Sequence, residues 1–397
     1  MASLGEARYP CVVAVVGNQA ASLVNFRSAL LEEMVRRGAT VFALAPDFDR
    51  ESRRLLRRMS VVPVDISMNR GGLNPLRETL DIVRLARLLR RLRVTATFAY
   101  FIKPVVYTSV AARLAGIDRC YGMIAGLGYL FVEDRGRFSV TKRLIRSTLK
   151  RLFSYALPRN RVLFFQNPDD RDYFLRRGYV DPANACRVYG SGVDLDHFHW
   201  MPPPPGATTF VLAARLLAEK GIREYVEAAR RIRAAHPEAR FLLLGGLDAA
   251  NRGAISQREV GQWVQEGVVE WWGHAPDVRV ALRQSSVFVL PSYYREGTPR
   301  SILEAMAVGR PIVTTDMPGC RETVRHGENG LLIPPRDAEA LFEAMVRFIR
   351  DPSLVGPMGR KSRELAEALY DVHAVNDVVL RRMGLDRPAA TGVRVAL

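Results

Sequence analysis

The sequence predicts an α/β protein of two Rossmann-like domains whose parallel sheets face an interdomain cleft. Three observations lead there. Strand-length apolar runs alternate with helical stretches along both halves of the chain, the order that parallel sheets with crossover helices require. The run Trp200-Met-Pro-Pro-Pro-Pro-Gly206 interrupts that alternation, and consecutive prolines favour an extended, semi-rigid connection over a helix or a central strand. At 397 residues, 48% of them hydrophobic, the chain is long enough for two cores of ordinary size.

In the first half, Val12–Val16, Thr40–Ala45, Thr95–Tyr100 and Val162–Phe165 read as strands separated by helical periodicity. Phe210–Ala213, Arg240–Leu244, Val268–Trp272, Val287–Leu290 and Pro311–Thr314 repeat the pattern in the second half. The proline run then sets a first domain at 1–200 and a second at 207–360. Residues 361–387 hold a further helix, and 388–397 read as a frayed tail. Open parallel sheets bind ligands beyond the carboxyl ends of their strands, so chemistry is expected in the loops that follow these runs.

Glu296 and Glu304 carry the strongest chemical signal, in Tyr293-Tyr-Arg-Glu-Gly-Thr-Pro-Arg-Ser-Ile-Leu-Glu-Ala-Met-Ala307. Glu296 falls in a loop after Val287-Phe-Val-Leu-Pro291, while Pro299 and the stretch from Ser301 to Val308 read as a helix opening with free amides. Such an end offers backbone donors and a positive dipole, so amides near Arg300 and Ser301 suit a diphosphate, and the two carboxylates suit sugar hydroxyls. For a lone pair of glutamates, a surface loop and an exposed helix position would be the plainer reading. Phe210-Val-Leu-Ala-Ala-Arg-Leu-Leu-Ala-Glu-Lys-Gly221 shifts the balance. There a strand and loop bring Arg215 and Lys220 just ahead of a helix, two cations fit to clamp a diphosphate leaving group.

On these residues the chain resembles the retaining glycosyltransferases of family four, which have GT-B architecture and use nucleotide-diphosphate sugars without a metal. Glu296, Gly297, Glu304 and Ala305 match that family's Glu-x7-Glu signature, and Arg215 with Lys220 matches its diphosphate-binding pair. Val15-Val-Gly-Asn18, Ser22-Leu-Val-Asn-Phe-Arg27, Ile102-Lys-Pro104, Gly126-Leu-Gly-Tyr-Leu-Phe131 and Gly190-Ser-Gly-Val-Asp194 are similar to one branch. That branch extends sugars on polyprenyl diphosphate carriers.

The resemblance implies Glu296 on the transferred sugar, Glu304 on the ribose hydroxyls, and Arg215 with Lys220 on the two phosphates. It implies a UDP-sugar donor, since the branch uses uridine, and a polyprenyl-diphosphate-linked saccharide acceptor in cell-surface glycan assembly. It also implies that the helix within 361–387 crosses back onto the first domain. Gly17 and Asn18 follow the first strand, where the backbone can approach a phosphate or sugar; Gly246 falls near the family's nucleotide position and His274 near the base. Where many relatives carry a histidine after the fourth strand, this chain reads Phe98-Ala-Tyr-Phe-Ile-Lys-Pro104. Tyr100 and Lys103 become acceptor-side candidates in its place, Lys103 either meeting the acceptor's diphosphate or remaining solvated, with Glu133 and Asp134 as helpers. Retention fits front-face attack, in which the donor's own phosphate takes the acceptor proton.

Three other functions use the same features differently. A family four transferase with a soluble or protein acceptor would leave the basic surface without a lipid partner. A GT-B nucleotide-sugar epimerase would require acid and base residues that the sequence does not locate, and a sugar-binding protein without activity would have no need of a diphosphate clamp.

Charge is lopsided. Residues 1–200 carry 32 Lys and Arg against 18 Asp and Glu, and so hold most of the net +17. Two acid-free stretches concentrate it: Arg84, Arg87, Arg90, Arg91 and Arg93, then Arg135, Arg137, Lys142, Arg143, Arg146, Lys150 and Arg151. In the second stretch the cations interleave with apolar residues at helical spacing, which makes either a solvated helix side or a face for an anionic membrane. Nucleic acid is not expected, because neither stretch carries base-stacking aromatics or a reading module.

No cofactor or metal is expected. The six histidines have no metal-site spacing. Asp47-Phe-Asp49 follows a strand end where capping is usual, and Asp194-Leu-Asp196 approaches the proline run. Cys11, Cys120, Cys186 and Cys320 lack paired spacing, as in a reducing compartment. Residues 1–10 lack a signal-peptide pattern, and no run approaches the roughly 20 apolar residues of a membrane span. A cytoplasmic protein at the inner face of the membrane is the expectation.

Overall fold

A computed structural model describes residues 11–69, 74–128, 140–248, 251 and 253–385, without the side chains of 140–146. The expectations for 1–10, Glu133, Asp134, Arg135, Arg137 and 388–397 lie outside the described residues, as do those for the side chains of Lys142, Arg143 and Arg146. Contacts divide the chain into two units: one holds the described residues up to 126, 140–191 and 375–385, the other 127–128 and 192–374.

In the first unit, β1 (Val12–Val16), β2 (Thr40–Ala45), β3 (Val62–Asp65), β4 (Ala96–Tyr100), β5 (Arg119–Ile124), β6 (Val162–Phe165) and β7 (Ala185–Arg187) form one sheet. Its order is β3-β2-β1-β4-β5-β6-β7, and every neighbouring pair is parallel. The inner strands are apolar at consecutive positions because helices bury both faces: Val13 to Val16 and Leu163 to Phe165 are fully buried. The core of this unit includes Val375, Val379, Leu380 and Met383. Arg119 Nη2 and Tyr121 Oη donate to the Met383 carbonyl at 2.7 and 3.2 Å, which ties that segment to β5.

In the second unit, β8 (Thr209–Ala213), β9 (Arg240–Leu244), β10 (Glu270–Gly273), β11 (Val287–Leu290), β12 (Ile312–Thr315) and β13 (Gly330–Ile333) form a second all-parallel sheet in the order β10-β9-β8-β11-β12-β13. The strand order reverses at β1 in one sheet and at β8 in the other, and such switch points open crevices at the carboxyl ends. The proline run belongs to this second unit. The Met201 amide donates to the Val308 carbonyl at 3.1 Å, and the fully buried Arg310 guanidinium donates to the carbonyls of Met201, Pro202 and Leu282.

β10 begins at Glu270 rather than Val268, and the Val268 amide is taken by the Trp263 carbonyl of the preceding helix. β3, β5, β7 and β13 were not foreseen. β3 and β7 are sheet edges, where Pro63 is tolerated and three residues suffice. β5 hides behind Arg119 and Gly122; a Cβ on Gly122 would lie 2.8 Å from Leu163 and Val105, so close packing demands the glycine that weakens the strand signal.

Candidate active site

The site is built by joining the loops after β8 and β11. The loop after β8 tightens into a 3₁₀ turn, Ala218–Lys220, and passes into the helix Ile222–Ala235 through Gly221. Gly221 is left-handed (φ 74°), and a Cβ there would fall 2.2 Å from the Pro291 carbonyl oxygen, so a glycine is what lets the turn press against the end of β11. The Glu219 carbonyl completes the join, accepting the amides of Tyr293 and Tyr294 at 2.9 and 3.2 Å, with Ser292 Oγ 3.2 Å away.

This join brings Lys220 onto Glu296. Lys220 Nζ forms an ion pair with Glu296 Oε1, and Ser292 Oγ lies 2.9 Å from the same oxygen. The side chains of Lys220 and Glu296 are only 13% and 11% exposed, so each charge depends on the other. Lys220 Nζ also lies 5.4 Å from the centre of the Tyr294 ring. Beneath the Glu296-Gly297 loop, Gly319 is left-handed (φ 88°), and a Cβ on it would sit 1.9 Å from the Gly297 carbonyl oxygen. The loop after β12 thus fixes the height of Glu296.

The helix Arg300–Ala307 follows at once. The Pro299 carbonyl takes the amides of Ile302 and Leu303, and the Ser301 amide has no backbone acceptor among the described residues. Arg300 Nε donates to Glu304 Oε1 at 2.9 Å across one turn. Burial pushes the Glu304 carboxyl above its ordinary range, against the pull of Arg300, even though its side chain keeps 16% exposure.

Arg215 stands on the other side of the β8 loop, half-exposed, with Nη1 3.0 Å from Asp248 Oδ2. The Gly246 carbonyl accepts the Leu216 amide at 3.3 Å, and a Cβ on Gly246 would sit 3.8 Å from His274 Cβ. Arg215, Gly246 and His274 therefore gather at the carboxyl ends of β8, β9 and β10. The structure pairs Lys220 with Glu296, Arg300 with Glu304, and Gly246 with His274, and beside the residues named from the sequence it places Ser292, Asp248 and Gly319. Ser292 was visible only as the end of a strand run; its bond to Glu296 requires the loop geometry.

The first-unit candidates are more enclosed than the sequence suggested. Tyr100 is fully buried, its hydroxyl 2.7 Å from Ser22 Oγ and pushed above its ordinary range by burial. A Cβ on Gly17 would lie 2.6 Å from that hydroxyl, so Gly17 makes room for Tyr100. Arg27, also buried, stacks its guanidinium 4.8 Å from the Tyr100 ring centre and donates to Met123 Sδ at 3.0 Å. Asn18 Oδ1 is buried with no partner among the described residues. Lys103 is not solvated; Nζ reaches Glu78 at 2.8 Å and the Asn69 carbonyl at 2.5 Å. Phe101, between β4 and the helix Ile102–Ala115, holds a left-handed φ of 69°, a strained conformation of the kind found where backbone is aimed at a site. The two Asp-x-Asp sequences serve turns and helix ends. Asp47 accepts the Ala20 amide, Asp49 the Ser52 amide, and Asp194 the amides of Asp196 and His197.

Two all-parallel Rossmann-like sheets of seven and six strands are the architecture of the GT-B fold. Residues 207–351, which carry Arg215, Lys220, Glu296 and Glu304, match the family model of glycosyl transferases group 1, and the chain is a glycosyltransferase. It is 26% identical to the N,N'-diacetylbacillosaminyl-diphospho-undecaprenol alpha-1,3-N-acetylgalactosaminyltransferase of Campylobacter jejuni, over 86% of this chain and 90% of that one. It is 24% identical to the UDP-Gal:alpha-D-GlcNAc-diphosphoundecaprenol alpha-1,3-galactosyltransferase of Escherichia coli, over 72% and 74%. Among solved structures, Anabaena Alr3699/HepE in complex with UDP and glucose superposes with a TM-score of 0.73 at 16% identity, covering 94% of this chain and 99% of that one. Among the described residues, no helix is long and apolar enough to cross a membrane, and no group of His, Cys, Asp and Glu is arranged to hold a metal.

Proposed function

We propose that the protein transfers a sugar, with retention and without a metal, from a UDP-sugar to a saccharide carried on a polyprenyl diphosphate. The observation that carries this reading is the Lys220–Glu296 pair, which joins the loops after β8 and β11 just ahead of the Arg300–Ala307 helix. Lys220 and Arg215 would exchange their present carboxylate partners for the two phosphates, aided by the helix N-terminus. Glu296, released from Lys220, would meet the hydroxyls of the transferred sugar, and Glu304 those of the ribose. No protein base is required if the departing phosphate takes the acceptor proton.

The acceptor class is supported by the two undecaprenyl-diphosphate relatives, which span most of their own length in the match. A lipid-linked acceptor in turn accounts for the basic excess of residues 1–200, since each Lys or Arg near an anionic surface contributes about 1 kcal/mol. Acting at the inner face of an anionic membrane follows from that charge. The test is release of UDP from a panel of UDP-sugars, with and without undecaprenyl-diphosphate-linked saccharide. Release that requires the lipid-linked acceptor is expected; equal release with a free oligosaccharide or a peptide would assign a soluble or protein acceptor instead.

A further inference from the structure

The helix Pro75–Arg91 turns one continuous face to solvent. Leu76, Leu80, Arg84, Arg87 and Arg91 recur at helical spacing and all are exposed, while Leu85 and Leu89 on the opposite side are buried. Leu76 is 84% exposed and Leu80 45%, an apolar pair at the amino-terminal end of the stripe. The arginines continue the same stripe. Arg87 and Arg91 make no ion pair among the described residues, Arg84 meets Asp81 at 3.7 Å, and no carboxylate is exposed on this face. The acids of the helix are turned away: Asp81 is buried and Glu78 is held by Lys103.

Exposed leucines in line with unpaired arginines suit an occupant that is apolar below and anionic above. Neither a nucleic acid, which would need stacking aromatics, nor bulk water fits both halves of the stripe. We propose that Pro75–Arg91 is the element that enters the membrane interface, its leucines below the phosphate layer of an anionic bilayer and Arg84, Arg87 and Arg91 along the phosphates. From Leu76 to Arg91 the stripe runs about 22 Å, so both halves engage together only if the helix lies in the plane of the surface. This inference rests on the membrane-side acceptor proposed above and assigns the contact to a helix other than the basic amphipathic stretch around Lys150.

The test compares wild type, Leu76→Ser/Leu80→Ser and Arg87→Glu/Arg91→Glu on phosphatidylglycerol-rich and pure phosphatidylcholine vesicles. Wild type is expected to bind the anionic vesicles and to keep part of that binding at 1 M salt, where charge attraction is screened. The leucine variant should lose that salt-resistant part and bind about tenfold more weakly at low salt. The arginine variant should lose about tenfold or more at low salt alone. The fluorescence of Leu76→Trp, after subtraction of wild type, should shift blue on anionic vesicles and be quenched by brominated lipid. All variants should retain wild-type melting and activity on a water-soluble acceptor analogue. Wild-type binding that the leucine change leaves intact, with the indole of the Leu76→Trp variant still in water, overturns this inference alone. A dimer broken by the leucine change, with vesicle binding unaltered, would give the face to a second copy and overturn it equally. Failure of wild type to bind anionic vesicles at all would sink the membrane reading and this inference together.

Discussion

Ser292 Oγ lies 2.9 Å from Glu296 Oε1, the oxygen that Lys220 also holds, so one carboxylate oxygen is fixed by a hydroxyl from below and a cation from the side. Ser292 is fully buried and has no route to a sugar of its own. Its effect on turnover must pass through Glu296.

Replacing Ser292 with Ala leaves a carboxylate oxygen with one donor fewer, a loss of about 1–3 kcal/mol for a buried acceptor. The turnover number should fall about tenfold or more while the dissociation constant for UDP stays near that of wild type. Ser292→Thr should restore part of the rate. Steady-state kinetics set beside UDP titration separate this from a general loss of folding, which would lower both.

Arg215 and Lys220 should differ despite their shared assignment to the diphosphate. Loss of either removes a transition-state donor worth about 3–4 kcal/mol, so Arg215→Ala and Lys220→Ala should each lower turnover about a hundredfold or more. Lys220→Ala also removes the cation beside the nearly buried Glu296 carboxylate and should cost more stability than the half-exposed Arg215–Asp248 pair, which contributes about 1 kcal/mol or less. Turnover close to wild type in either folded variant would remove that residue from the clamp.

Much of this arrangement was legible in the sequence because it rests on local signals. Val287–Leu290 announces a buried strand by unbroken apolarity, and Pro299 announces the helix that follows. Hidden were the features that depend on distant contact. Gly221 and Gly319 are ordinary loop glycines until Pro291 and Gly297 come within van der Waals reach. Tyr100, at the end of β4, reads as a cleft residue, yet Ser22 and Arg27 enclose it from a helix some seventy positions earlier. Lys103 likewise reads as a free cation because Glu78, its partner, stands on another helix. The buried Arg310 is the largest surprise of this kind, since nothing near it in sequence shows that the carbonyls of Met201, Pro202 and Leu282 await it.

Arg310→Ala should therefore be among the most destabilising single changes in the second unit. It takes the donor from the Met201 and Pro202 carbonyls and one donor from the Leu282 carbonyl, which keeps Ser285, about 3 kcal/mol in all, and loosens the proline run. Burial lowers the pKa of this guanidinium to about 10, so the group stays charged at neutral pH. Trp200, Trp263, Trp271 and Trp272 are the four tryptophans of the chain and all belong to the second unit, so their fluorescence in a urea titration reports this loss directly. An unchanged midpoint would mean that the carbonyls find other donors.

Glu304 gives a prediction with a sign in pH. Its carboxyl is raised in the folded protein by burial, so the native state holds a proton that the unfolded chain has already released. Stability from this group is present below the unfolded carboxylate pKa and declines as pH rises through the native one. Glu304→Gln removes the titration, so the variant should gain on wild type in melting temperature as pH rises from about 4 toward neutrality, less whatever the Arg300 pair contributes. If Glu304 holds ribose, Glu304→Ala should weaken UDP and UDP-sugar alike. Glu296→Ala should spare UDP and cripple transfer, because its partner on the ligand is the sugar. Calorimetric titration showing the same loss of UDP binding in both alanine variants would overturn this division of roles between the two carboxylates.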